Sequence, residues 1–155
     1  MSESSKIKVG ISVGDPNGIG FEIILKTFQE TNLFKEFIPI AFAHPQNFFE
    51  ESEKYKLDTN IIWVENIRDV QENFLNVIDI WDHPFPINYG KDESTAGNFA
   101  FVSLEAATKA LRKNKIDVLV TAPINKKNIQ SKRFKFKGHT DYLDKEIKGE
   151  SLMFM

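Results

Sequence analysis

Residues 116–123 read Ile-Asp-Val-Leu-Val-Thr-Ala-Pro, and the rest of the chain is organised around them. A nearly continuous, mostly β-branched apolar run is typical of a strand that is buried on both faces of a parallel sheet. Pro123 has no N–H to offer a neighbouring strand, so the strand ends before it. We therefore expect the strand at 116–121 near the centre of a parallel-rich sheet, flanked by the helices at 19–30 and 96–113.

Polar and cationic residues follow this strand. Asn125, Lys126 and Lys127 come first, then a basic loop at 132–137, then Gly-His-Thr-Asp-Tyr-Leu at 138–143. In open α/β sheets, ligands bind just beyond the carboxyl ends of the strands. The sequence therefore predicts a site for an anionic small molecule at this end of the strand.

The remaining chain alternates between strand-like and helix-like patterns. Further strands are predicted at 6–13, 37–43, 60–64 and 74–81, and helices at 19–30, 45–55, 96–113 and 139–148. This alternation favours an α/β fold with a mostly parallel sheet flanked by helices. Ser94 or Thr95 is expected to cap the helix at 96–113. The chain ends in an apolar, strand-like run at 151–155, which indicates an apparently truncated chain.

Composition narrows the class of protein. A chain of 155 residues is one domain's worth of sequence, and its net charge of −2 creates no global attraction to nucleic acid or membrane. There is no cysteine, which excludes disulfides, thiolate metal sites and a cysteine nucleophile, and which suits the cytosol. Residues 1–8 contain no apolar signal-peptide core, and no apolar run reaches the length of a bilayer span. We expect a cytoplasmic protein without nucleic-acid or membrane partners.

A glycine-rich turn, Gly-Asp-Pro-Asn-Gly-Ile-Gly at 14–20, joins the first strand to the first helix. Free N–H groups at a helix start favour an anion. The spacing fits neither the dinucleotide pattern GxGxxG nor the P-loop, so both an ordinary tight turn and a ligand loop remain open. Asp15 either contacts a ligand hydroxyl or caps the first helix.

The chain has three histidines, and they differ in context. His139 and Thr140 are interpreted either as an imidazole and hydroxyl that contact a ligand at a helix start, or as a capping pair with a half-exposed histidine. Their position after a strand and a cationic loop favours the first interpretation. His44 and His83 form no metal-binding spacing with His139, and because each precedes a proline in a predicted loop, we interpret both as structural.

The cations after the central strand also have alternative roles. Lys126 either faces a phosphate or is a solvated loop lysine. In the basic loop at 132–137, lysine and arginine alternate with phenylalanine. This pattern favours an exposed edge strand or hairpin over a nucleic-acid patch, because the chain as a whole is slightly acidic.

Four motifs together resemble one known family. They are Gly-Asp-Pro-Asn-Gly-Ile-Gly at 14–20, Ser-Thr-Ala-Gly at 94–97, Thr-Ala-Pro-Ile-Asn-Lys at 121–126 and Gly-His-Thr-Asp-Tyr-Leu at 138–143. Their order and content are similar to those of the 4-hydroxythreonine-4-phosphate dehydrogenase family of pyridoxal phosphate biosynthesis. The resemblance covers essentially the whole chain but only the N-terminal half of a family member. Departures are Phe21, where the family usually has proline, and Asn125, where some members have histidine.

The resemblance implies a fold like that of isocitrate and isopropylmalate dehydrogenases. Residues 1–155 would form the N-terminal part of a two-domain α/β enzyme, with the C-terminal half absent. The family enzyme is a homodimer that uses NAD to oxidise the C3 hydroxyl of 4-phosphohydroxy-L-threonine. The keto acid then loses carbon dioxide to give 3-amino-2-oxopropyl phosphate.

The resemblance also assigns site residues. His139 and Thr140 match the pair that contacts substrate. A divalent metal ion (zinc, magnesium or cobalt) would be held by three histidines outside this chain, so no metal ligand and no catalytic residue is assigned here. The NAD contacts are not assigned, and the 155-residue chain alone is predicted to be inactive.

Two alternatives remain open. One is a related dehydrogenase of a four-carbon sugar acid phosphate, which a product assay on the full-length protein would separate. The other is a non-catalytic phosphate- or nucleotide-binding module, which would be favoured if the reading frame ended at Met155.

Overall fold

The computed structural model describes residues 6–149. The strands are β1 (Ile7–Ser12), β2 (Phe37–Phe42), β3 (Ile61–Val64), β4 (Leu75–Ile78) and β5 (Val118–Thr121), and the helices are α1 (Gly20–Thr27), α2 (Pro45–Lys54), α3 (Ser94–Arg112) and α4 (His139–Glu146). Short 3-10 turns lie at Thr31–Lys35 and Ile67–Asp69. The strand predicted at 151–155, with its apolar end, lies outside the described residues.

All strand pairs in the described sheet are parallel, and the strand order is β3-β4-β2-β1-β5. Each predicted strand and helix from 6 to 148 is present, with ends displaced by a few residues. The expected α/β fold with a parallel sheet flanked by helices is therefore confirmed.

Alternate side chains of β2 enter two different cores. Ile38, Ile40 and Phe42 pack with buried alanines of α3 on one face of the sheet. Ala41, on the opposite face, belongs to the core that contains the apolar sides of α1 and α2. The sheet is thus covered by α1 and α2 on one side and by α3 on the other, as the period of two along a strand requires.

The position of β5 differs from the expectation. Within residues 6–149, β5 lies at one edge of the sheet beside β1, and β2 occupies the centre, so the predicted central position is wrong. Val118 and Val120 are 44% and 47% exposed. The apolar run correctly identified a strand, but the predicted burial on both faces is also wrong, because the side chains of β5 are exposed or half-buried.

The predicted cap of α3 is also wrong. The helix begins at Ser94 itself, Glu93 occupies the N-cap position, and no side chain caps the first turn. Ser94 and Thr95 therefore lie inside the helix. α3 is 19 residues long and carries its charged residues, Glu105, Lys109 and Arg112, in its C-terminal half. No helix between residues 6 and 149 is long and apolar enough to cross a membrane.

The basic loop at 132–137 forms no strand or hairpin, contrary to expectation. Phe134 is fully buried, with its ring centroid 5.7 Å from that of Phe101 on α3 and 5.6 Å from that of Tyr142 on α4. The Lys-Phe alternation reflects an irregular loop that is anchored by an aromatic side chain, with its cations in solvent. This anchor holds the start of α4 against α3.

Candidate functional site

The four sequence motifs meet beyond the carboxyl ends of β1 and β5. These two strands are parallel neighbours, so they end at the same edge of the sheet. The turn 14–20 leaves β1, the segment 121–126 ends β5, and the N-terminal ends of α3 and α4 carry the other two motifs. Residues more than a hundred positions apart therefore form one local structure.

The turns after β1 and β5 contact each other through their backbones. The N–H of Asp15 donates to the Pro123 carbonyl at 2.9 Å. Gly14 has a φ of +72°, and a Cβ at this position would overlap the Pro123 oxygen. Glycine is required here for both reasons, since other residues rarely adopt this backbone region.

Asp15 uses both carboxylate oxygens inside this structure. Oδ1 accepts a hydrogen bond from the Asn17 N–H at 2.9 Å, and Oδ2 accepts one from the Asn128 side-chain amide at 3.2 Å. The N-cap residue of α1 is Ile19, and no side chain caps that helix. The helix-capping role considered for Asp15 is therefore wrong, and its carboxylate instead joins the two turns.

Asn17 fixes the loop that precedes α3. Its Oδ1 accepts from the Asn88 N–H at 2.7 Å, and its Nδ2 donates to the Lys91 carbonyl at 3.1 Å and to the Glu93 carboxylate at 3.0 Å. Sequence reasoning missed this role. The only available signal was the place of Asn17 in the 14–20 motif, since asparagine side chains commonly bond nearby backbone in turns.

The turn after β5 is held from two sides. The Asn125 side chain accepts from the N–H groups of Lys127 at 2.9 Å and of Asn128 at 3.2 Å. The Lys127 ammonium pairs with Asp92 at 2.7 Å. Gly97 of α3 packs so closely that a Cβ there would overlap the Asn128 carbonyl. Three of the four motifs thus meet here: hydrogen bonds join the turns after β1 and β5, and Gly97 joins them through close packing.

His139 is the first residue of α4 and is partly buried. Its Nε2 atom is buried and has no hydrogen-bond partner in the described part of the chain. Burial, and to a smaller extent the charge of Lys126, lower the pKa of the imidazole. His139 is therefore neutral at pH 7 and has a free ring nitrogen, as expected of a group whose partner is a ligand.

The capping interpretation of His139 and Thr140 is not supported. Gly138 occupies the N-cap position of α4, and no side chain bonds the first turn. Thr140 is exposed beside His139. The two residues are thus placed where the sequence predicts a ligand, and their contact with substrate stays a prediction.

Lys126 brings the turn after β5 to the start of α4. Its side chain passes beside Gly138, so that a Cβ built on Gly138 would lie 3.7 Å from the Lys126 Cε. The fourth motif therefore joins the other three at a place that combines an ammonium, an imidazole and a hydroxyl.

The other histidines have structural contacts. The His44 Nδ1 accepts from the Gln46 N–H at 3.2 Å and caps α2, while the His83 ring packs edge-on against Phe99. Among residues 6–149, no group of three or more His, Cys, Asp or Glu side chains could hold a metal ion. The described residues therefore do not by themselves fit the implied metal.

The fold is that of an α/β protein with a parallel sheet. Polar and cationic residues lie beyond the carboxyl ends of its strands, which is where α/β proteins of this kind bind ligands. The family model "Pyridoxal phosphate biosynthetic protein PdxA" matches residues 35–155. The chain belongs to this family.

Curated relatives agree with this membership. A protein from Bacteroides thetaiotaomicron, named 4-hydroxythreonine-4-phosphate dehydrogenase, is 36% identical over 145 residues, which cover 94% of this chain and 40% of the relative. One of the same name from Sulfurihydrogenibium is 33% identical over 138 residues, covering 88% and 42%. The chain spans about two fifths of the length of these relatives.

Solved structures share the fold. The 4-hydroxythreonine-4-phosphate dehydrogenase from Burkholderia phymatum matches with a TM-score of 0.83 and 22% identity, over 92% of this chain and 44% of that one. The enzyme from Klebsiella pneumoniae matches with a TM-score of 0.78 and 23% identity, over 94% and 45%. The expected isocitrate and isopropylmalate dehydrogenase-like fold is confirmed.

Proposed function

We propose that the full-length protein is an NAD-dependent 4-hydroxythreonine-4-phosphate dehydrogenase. It would oxidise the C3 hydroxyl of 4-phosphohydroxy-L-threonine and release 3-amino-2-oxopropyl phosphate after decarboxylation, in pyridoxal phosphate biosynthesis. The present chain would be the N-terminal part of a two-domain, cytoplasmic, homodimeric enzyme. Family membership supports this proposal.

The observation that carries the proposal is the unpartnered Nε2 of His139 where the family motifs meet. A buried ring nitrogen without a partner lowers stability unless a ligand completes it. A neutral imidazole can donate to a phosphate, carboxylate or hydroxyl oxygen, and the Thr140 hydroxyl can both donate and accept. We propose that His139 and Thr140 bind and orient the substrate.

The remaining parts of such a site would come from outside this chain. A divalent metal ion (zinc, magnesium or cobalt) would stabilise developing negative charge on the substrate hydroxyl, and NAD would accept the hydride. The residues described here would then hold the anionic ends of the substrate and fix its orientation.

A second candidate activity is supported by other relatives. A Cutibacterium acnes protein, provisionally named D-threonate 4-phosphate dehydrogenase, is 34% identical over 139 residues. The two substrates differ at C2, where one has an amino group and the other a hydroxyl, and they share the carboxylate, the C3 hydroxyl and the phosphate. His139 and Thr140 suit either one, because both residues contact polar or anionic groups.

The experiment is an assay of the full-length protein with NAD, a divalent metal ion and each substrate in turn, following NADH and identifying the product by mass. Preferential turnover of 4-phosphohydroxy-L-threonine supports the main proposal, and preference for the threonate phosphate supports the second. Absence of turnover with retained phosphate binding would favour the non-catalytic module.

A further inference from the structure

We propose that Lys126 is an anion-binding residue of the substrate site, and that its ammonium and the His139 imidazole hold the same oxyanion. The inference deepens the proposed function and rests on it. The oxyanion is the phosphate or the carboxylate of the substrate, since both present several acceptor oxygens to cationic and N–H donors.

The first support is geometric. Lys126 lies in the turn after β5, and its side chain passes Gly138, the residue directly before His139. Its charge also lowers the pKa of the His139 imidazole, although burial has the larger effect. Two nitrogen donors from different motifs therefore approach each other at the carboxyl edge of the sheet, where ligands of α/β proteins bind.

The second support is the contrast between neighbouring lysines. Lys127 pairs with Asp92 at 2.7 Å, and its pKa is raised by that carboxylate. Lys126 forms no ion pair with any carboxylate in the described ranges. Of two adjacent cations in one turn, one is neutralised by the protein, and the one beside His139 is left available for an external anion.

The third support is the state of His139. Its Nε2 is buried and unpartnered among residues 6–149, and the Lys126 ammonium acts on its ring. An oxyanion between Lys126 and His139 would give the ring nitrogen its missing partner and would neutralise the lysine. It would also favour the charged imidazole, so anion binding and proton uptake by His139 would be coupled.

The test compares Lys126→Met with Lys127→Met in the full-length protein. Each change removes one ammonium from the same turn and keeps most of the apolar side chain, so the two variants lose equal net charge. Inorganic phosphate is the probe for the phosphate group of the substrate, and L-threonine is the probe for its carboxylate. Binding is followed through the ring C–H signals of ¹³C-labelled histidine, with His139 assigned from its loss in His139→Gln.

We expect Lys126→Met to weaken binding of at least one probe by about ten- to a hundredfold, as for loss of a hydrogen bond to a charged group. Lys127→Met should change it by less than about threefold, because its ion pair is exposed. The affected probe identifies the oxyanion. In the wild type, the probe should raise the pKa of His139.

Equal weakening by both variants, no weakening by Lys126→Met, or no response of the His139 signal to either probe would overturn the proposal. The readout does not depend on turnover. A protein that binds these anions through Lys126 but oxidises neither substrate would contradict the proposed function and leave this inference standing.

Discussion

The carboxylate of Asp15 accepts a hydrogen bond from the side-chain amide of Asn128, 113 residues further along the chain. Both side chains are buried, at 8% and 7% exposure. The bond joins the turn after β1 to the turn after β5, and Gly97 packs against the Asn128 backbone from α3. The candidate site is thus supported by contacts that connect distant segments.

Gly97→Ala should destabilise the protein by about 1–3 kcal/mol, because the new methyl group overlaps the Asn128 carbonyl and the backbone has to move. Gly138→Ala is the matched control, since its Cβ would meet only the Lys126 Cε at 3.7 Å, an ordinary contact. Denaturant unfolding of both variants measures the difference. Equal free energies of unfolding would contradict the close packing of α3 on the turn after β5.

Asn17→Ala should lower the free energy of unfolding by about 1–3 kcal/mol, because it removes the three hydrogen bonds that the buried Asn17 side chain makes to the loop before α3. Hydrogen exchange at the Asn88 N–H should become faster, since that group donates to Asn17. Asn98→Ala, on the exposed side of α3, is the control and should change neither quantity appreciably. Unchanged exchange at Asn88 in Asn17→Ala would contradict the assigned role.

The lowered pKa of His139 predicts a specific dependence of stability on pH. Between the lowered folded-state value and the ordinary value of 6.5, the unfolded chain binds a proton that the folded chain does not. Stability should therefore fall as pH decreases below 6.5, and no effect from His139 is expected above that range. This slope of the free energy of unfolding against pH should be absent from His139→Gln, because glutamine cannot take up the proton.

Lys126→Met should reduce this slope without abolishing it, because burial is the larger cause of the shift and the lysine charge the smaller. Denaturant unfolding on both sides of pH 6.5 measures the effect. A slope that is the same in the wild type and in His139→Gln would show that other groups produce it.

The 155-residue chain alone should not oxidise 4-phosphohydroxy-L-threonine. The described residues bring no three metal-ligating side chains together, and the family resemblance places the metal histidines elsewhere. The measurement is NADH formation by the purified chain, with its His139→Ala variant as a control for contaminating enzyme. Turnover that is lost in the variant would contradict this prediction.

Association through residues 152–155, also predicted from the sequence, can be measured by light scattering on the same sample.

Periodicity and turn residues were sufficient to locate the strands and helices. β1, the turn at 14–20 and the strand before Pro123 each carry a local signal, because backbone chemistry acts between near neighbours in sequence. The placement of His139 at the start of α4 followed in the same way. These features depend on short segments, and the structure agrees with them.

Features that depend on distant contacts were not predictable. The bonds of Asp15 to Asn128 and of Asn17 to residues 88–93 join segments that no local pattern relates. Phe134 is buried because it packs against α3 and α4. The sequence of the loop does not show these contacts, so its alternation of lysine and phenylalanine resembled an edge strand. Gly138 needs no special backbone freedom at the start of α4, because its φ of 174° is extended backbone open to any residue.

The most direct test of the account is kcat/KM for 4-phosphohydroxy-L-threonine in the full-length wild type and in His139→Ala, measured beside a thermal melt. Loss of a hydrogen bond to a charged substrate group should lower kcat/KM by about ten- to a hundredfold. Tm should stay nearly unchanged, because the His139 Nε2 has no partner within residues 6–149. An unchanged kcat/KM, or a fall in Tm large enough to explain the loss of activity, would contradict the placement of substrate at His139.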